Sequence, residues 1–242
     1  MAVRPLKWRG KRLQIHYKRV GEGKEGVLFL HGWGGRVESM EPFRSHFAPF
    51  PQLYLDLPGF GRSTLPFPFT TFEYAEVVAQ FLSEVGFTPK LIVAHSFGGK
   101  IALLLRPPKL VLLASAGIPL PKPVSVRLKI ALFKLAKKVG LGRLRPLFAS
   151  RDIKGADPVL YETFKRVVDE DFTSYYRNFS GEVVLFGGRE DRAVPPVAIE
   201  KQGELLGVEP IFLEGDHFFY LSENNLKTIA QKGRELLTRG KE

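Results

Sequence analysis

The sequence predicts an α/β fold, a mostly parallel sheet with helices on both faces. Two observations carry this. Several short apolar runs are continuous rather than alternating, as strands buried on both faces are. Between them lie stretches whose apolar residues recur at helical spacing, and that alternation is the pattern of a sheet covered by helices. The length of 242 residues allows one large domain with a buried core and is too short for two comfortable ones.

The elements follow in order. Leu6 to Val20 alternates at Leu13, Ile15 and Tyr17 after a break at Gly10-Lys11, which reads as a hairpin. Val27 to Leu30 and Leu53 to Leu57 are two buried strands. Phe72 to Val85 has helical spacing at Phe72, Ala75, Val78, Ala79 and Leu82. Leu91 to Ala94 is a third buried strand, followed by glycines and a helix from Gly99 to Leu105 that Pro107-Pro108 stops. Leu110 to Ala114, Val183 to Phe186 and Ile211 to Leu213 are further strands. Ser222 caps a last helix whose apolar face is Leu226, Ile229, Ala230, Gly233, Leu236 and Leu237. One stretch breaks the rhythm. Residues 117–180 carry helical pattern and no convincing strand between a proline-rich entry and Ser180-Gly181, so they are expected to form a helical cap on a core made of 1–116 and 181–242.

Composition narrows the chemistry. Apolar residues make up 44% and charged residues 25%, a globular balance. There is no cysteine, which excludes disulfides, thiolate catalysis and cysteine-bound metal. The five histidines lack metal-ligand spacing, so no metal and no cofactor are expected. The N-terminus lacks the apolar core of a signal peptide and no run of about 18 apolar residues occurs, so a cytoplasmic protein without a membrane span is expected. Scarce asparagine and methionine beside abundant arginine and proline suggest a thermophilic source.

Ser96 is the candidate nucleophile. It lies in Ala94-His95-Ser96-Phe97-Gly98-Gly99, directly between a buried strand and a helix. A sharp turn there strains the serine backbone, lifts the hydroxyl to the carboxyl end of the sheet and aims free helix N–H groups at the same spot. Side chains two positions either side would collide, and Ala94 and Gly98 are small.

Four motifs, in order, resemble the α/β-hydrolase superfamily: His31-Gly32-Trp33-Gly34-Gly35, Asp56 to Ser63, the turn at Ser96, and Gly188 to Pro195 followed by Gly215-Asp216-His217. The resemblance runs from about Val27 to Phe219 and implies an α/β-hydrolase fold. It implies oxyanion donors at the backbone N–H groups of Trp33 and Phe97. It also implies the order serine, acid, histidine. His217 is the one histidine downstream of Ser96 and stands where the family carries its base. Asp191, followed by Val194-Pro195, fits the family acid, with Glu190 its neighbouring competitor. Ala94 departs from the usual glycine, and Asp216 stands where a small residue is usual. An acid there would raise the pKa of His217 or contact substrate. His31 and Asp56 read as hydrogen-bonded loop anchors.

From Lys122 to Arg151 the sequence holds nine lysines and arginines and no acid, most of the net charge of +11. This basic cap reads either as a lid drawing anionic substrates or acidic lipid headgroups, with weak surface association, or as a solvated helix face. Nucleic acid is not an expected partner, because aromatics are not interleaved with the charge. Ile130 and Phe133 lie off the main apolar stripe and are candidate pocket walls, together with Trp33 and Phe218. The resemblance implies hydrolysis of an ester-type bond in a small, partly apolar substrate through an acyl-enzyme. The alternatives are carbon–carbon hydrolysis of vinylogous diketones, thioester, lactone or aminopeptidase chemistry, and a ligand-binding protein without catalysis.

Overall fold

The computed structural model describes residues 1–120 and 157–239. Its frame is one eight-stranded sheet in the order β1-β2-β4-β3-β5-β6-β7-β8. β1 (Ala2–Trp8) and β2 (Lys11–Val20) form the expected hairpin, and β2 also pairs antiparallel with β4 (Gln52–Leu55). All other pairings, through β3 (Glu25–Leu30), β5 (Thr88–His95), β6 (Lys109–Leu113), β7 (Glu182–Gly188) and β8 (Ile211–Leu213), are parallel. The continuous apolar runs therefore fall in the centre of the sheet. Val27 to Leu30, Leu91 to Ala94 and Leu110 to Leu113 are buried throughout, whereas β2, nearer the edge, buries only Leu13 and Ile15.

The helices of the described residues are α1 (Val37–Met40), α2 (Thr71–Glu84), α3 (Phe97–Leu105), α4 (Pro158–Val167), α5 (Thr173–Arg177), α6 (Pro196–Leu206) and α7 (Glu223–Thr238). α2 starts on a capping box, in which Thr70 accepts from the Glu73 N–H and the Glu73 carboxylate accepts from the Thr70 N–H. α4 starts on Asp157, whose carboxylate accepts from the N–H groups of Val159 and Leu160, with Pro158 in the first turn. Both faces of the sheet are covered. Successive strand residues point to opposite faces; on β6, Val111 faces Gly233 of α7, and Leu112 faces Gly99 of α3. The six apolar residues expected on α7 are its buried residues. No helix of the described residues is long and apolar enough to cross a membrane.

Two boundaries differ from the sequence reading. The strand read to Leu57 ends at Leu55, because Asp56 turns to accept from the N–H groups of Val37 (2.7 Å) and Arg62 (2.9 Å). α3 begins at Phe97 rather than at Gly99, so Gly98 also lies inside its first turn. Of the segment 117–180, residues 121–156, with Ile130, Phe133 and the basic run, lie outside the described residues. The remainder contains α4 and α5.

Candidate active site

Ser96 sits at the carboxyl end of β5 and immediately before α3, with φ 50° and ψ −113°. That backbone conformation is strained for a residue with a side chain and costs about 1–3 kcal/mol. Neighbouring backbone holds it. The Ser96 N–H donates to the Leu113 carbonyl at 2.9 Å, and the Ser96 carbonyl accepts from Gly99 at 3.0 Å and Ala116 at 3.1 Å. Gly98 lets α3 approach β3 closely. A Cβ there would lie 2.7 Å from the carbonyl oxygens of both Leu30 and His31.

Three side chains from three loops meet at this turn. His217 follows β8, and its Nε2 lies 3.0 Å from Ser96 Oγ. Its Nδ1 lies 2.7 Å from Asp191 Oδ2. A carboxylate can only accept, so Nδ1 carries the proton and Nε2 is free to accept from the serine hydroxyl. Asp191 follows β7. Its side chain is fully buried, and its other oxygen accepts from the N–H groups of Ala193 (2.8 Å) and Val194 (2.9 Å). The carboxylate is thus fixed on one side by backbone and on the other by the imidazole. Glu190, its neighbour, is exposed.

The loop after β3 brings Trp33 beside Ser96. Neither the Trp33 N–H nor the Phe97 N–H donates to an acceptor among the described residues. The Trp33 ring makes edge contacts with Phe60 (4.8 Å), Phe97 (5.6 Å) and Phe164 of α4 (5.2 Å). His31 is buried and ties two loops together. Its Nδ1–H donates to the Gly32 carbonyl at 2.7 Å, and its Nε2 accepts from the Leu57 N–H at 3.0 Å. Burial holds its pKa down to about 4.

On the other side of His217, Phe218 is half exposed, with its ring 5.5 Å from the imidazole. Asp216 is exposed, and its carboxylate accepts from the Phe218 N–H at 2.8 Å, which shapes the turn that carries His217. Among the described residues a depression of about 740 Å³ opens here, lined by Asp191, Arg192, Asp216, His217 and Phe218.

Two contacts escaped the sequence reading. His95 is buried beneath His217, and Lys100 of α3 is buried against Glu170 at 2.8 Å. The signal for the second was a lysine in an otherwise apolar helix. For the first it was a histidine adjoining Ser96.

Arranged so, the site can move a proton from a hydroxyl to an imidazole. The model of the Alpha/beta hydrolase family matches residues 27–231. Among solved structures, a thermophilic esterase from Thermogutta terrifontis superposes with a TM-score of 0.71 at 17% identity, covering 98% of this chain and 100% of that one. An enol-lactonase from Burkholderia xenovorans LB400 gives a TM-score of 0.73 at 17% identity, covering 97% and 100%. Among curated relatives, the dihydrolipoyllysine-residue acetyltransferase component of the acetoin cleaving system of Cupriavidus necator is 36% identical over 98 residues. That stretch is 38% of this chain and only 25% of the relative's length.

Proposed function

The chain belongs to the alpha/beta hydrolase family, and from that premise we propose that it is a serine hydrolase cleaving a carboxylic ester-type bond in a small, partly apolar substrate. The observation that carries this reading is the chain of contacts from Ser96 Oγ to His217 Nε2 at 3.0 Å and from His217 Nδ1 to Asp191 at 2.7 Å. A serine hydroxyl is a weak nucleophile near neutral pH and needs such a base within hydrogen-bond reach.

The proposed steps are these. Ser96 Oγ attacks the ester carbonyl as its proton passes to His217 Nε2. Asp191 holds the Nδ1–H and stabilises the imidazolium that forms. The carbonyl oxygen becomes an oxyanion held by the N–H groups of Trp33 and Phe97, each such donor being worth about 10² to 10³ in rate. The intermediate collapses, the alkoxide leaves with the proton from His217, and an acyl-Ser96 ester remains. Water then attacks that ester with His217 again taking the proton, and the carboxylic acid departs as Ser96 recovers its hydrogen. Every proton in this scheme is carried by the triad, so it draws on no cofactor.

The contact between Phe164 of α4 and Trp33 supports reading residues 117–180 as a cap above Ser96. The half-exposed Phe218 beside His217 is suited to an apolar group of the substrate. The basic run at 122–151 favours substrates that carry negative charge.

The test is turnover of p-nitrophenyl esters of increasing acyl length beside lactone, thioester and vinylogous diketone substrates. Activated esters should give a burst of p-nitrophenol stoichiometric with enzyme, and Ser96→Ala should lower turnover by about 10⁴ to 10⁶. Tight ligand binding with no turnover of any member of the panel would point instead to a binding protein.

A further inference from the structure

His95 has no part in the proton transfers above, yet it touches two of the loops that make the site. It is buried, and its Nε2 lies 3.0 Å from the backbone carbonyl of His217. A carbonyl can only accept, so the ring carries its proton on Nε2 and donates. The ring centre is 4.6 Å from that of His217, 4.8 Å from Tyr220 and 5.5 Å from Phe218. Its other edge fills the space of an absent side chain. A Cβ on Gly32 would lie 2.8 Å from His95 Nδ1. Gly32 immediately precedes Trp33, so one ring is wedged between the loop bearing the base and the loop bearing the Trp33 N–H.

The other hydrogen bonds on the His217 loop come from elsewhere. Asp216 accepts from Phe218 and Phe219 within the loop, Glu190 donates to the Gly215 carbonyl, and Asn225 donates to the Glu214 carbonyl. Those bonds shape the loop and hold it to its own side of the sheet. The His95 bond instead ties the His217 backbone to the last residue of β5, which immediately precedes Ser96. Burial and the nearby His217 hold the His95 pKa down to about 3, so the imidazolium that forms on His217 lies against a neutral ring rather than a second cation.

We propose that His95 is a positioning residue for the triad: its Nε2–H bond to the His217 carbonyl sets the height of the base over Ser96. This rests on the serine-hydrolase reading above. A displacement of about 1 Å at a catalytic group costs about 10²-fold in rate. The effect belongs in kcat, because His95 is buried beneath the base and away from the substrate.

The experiment compares two variants by kcat and KM on p-nitrophenyl acetate, well below the melting temperature of each. His95→Phe keeps a ring and loses the donor. His95→Gln keeps a donor of similar reach and loses the ring. His95→Phe should lose about 10²-fold in kcat with KM little changed, and His95→Gln should recover most of that loss. Wild-type kcat in His95→Phe, or a glutamine variant as impaired as the phenylalanine one, overturns the assignment. If His95→Phe does not fold, the glutamine variant decides alone: a kcat near wild type supports the tether, and an approximately 10²-fold loss overturns it. Ser96→Ala serves as the control. Turnover that survives in it sinks the serine-hydrolase reading itself, whereas an inactive Ser96→Ala beside an unimpaired His95→Phe overturns only the role of His95.

Discussion

Ser96 is held by the backbone of β6 and of the segment after it, in a conformation that a serine adopts only under constraint. Two histidines of the adjoining segments, His31 and His95, are both buried, and their pKa values are held down to about 4 and about 3, with burial the foremost cause. This has a consequence for stability. The unfolded chain takes up these protons as pH falls through about 6.5, whereas the folded chain resists until about 4 or 3. The folded state therefore keeps their full contribution above about pH 6.5 and loses it progressively as pH falls below that value. For His31 the gap between 6.5 and about 4 amounts to about 3 kcal/mol, at about 1.4 kcal/mol per pH unit. Chemical denaturation should show unfolding free energy falling between about pH 7 and about pH 4.5, with a shallower fall in His31→Gln. Parallel slopes in the two proteins would show that His31 is not a source of the pH dependence. At this scale the meeting of Ser96, Asp191 and His217 was legible, because each follows an apolar strand in a motif of its own and few histidines compete. The bond from His95 to the His217 carbonyl was not, because it joins residues 122 positions apart and depends on how two loops stack.

α3, the helix that Ser96 precedes, also anchors the return from the 117–180 segment. Lys100 of α3 is almost wholly buried, and its ammonium donates to the Val167 carbonyl at 2.6 Å and pairs with Glu170 at 2.8 Å, over the ring of Phe172. Glu170 in turn accepts from the hydroxyl of Thr71 at the start of α2. Burial lowers the pKa of Lys100, and Glu170 opposes that drop. Removing one partner of such a pair strands a buried charge, a loss of about 3–5 kcal/mol. Glu170→Gln should therefore destabilise the protein by about that amount in denaturant titration, and Lys100→Met combined with Glu170→Gln should recover part of it. An unchanged midpoint in Glu170→Gln would mean that water or another group neutralises Lys100. The sequence made the strands and the main helices visible through apolar runs and capping residues. It misplaced the starts and ends where a side chain captures the backbone, as Asp56 does after β4. Gly98 fell outside the helix read from Gly99 because its lack of a side chain is a packing requirement: a Cβ there would lie 2.7 Å from the carbonyl oxygens of Leu30 and His31.

On the scale of the whole molecule, the loops that form the site all leave the carboxyl ends of parallel strands, at β3, β5, β7 and β8. Crevices at those ends are where open α/β sheets bind ligands. The alternation of elements made a parallel sheet legible, but not the strand order, because continuous apolar runs say that a strand is central and nothing about its neighbours. The same limit applies to the side chains gathered around the site from distant positions, such as Phe164 against Trp33 and Phe218 beside His217. A serine nucleophile at position 96 is open to direct chemical labelling. The protein is treated with a fluorophosphonate, and the modified residue is located by peptide mass spectrometry. One phosphonyl group per chain is expected, on Ser96, and none in Ser96→Ala. An adduct on another residue, or equal labelling of the Ser96→Ala protein, would contradict it.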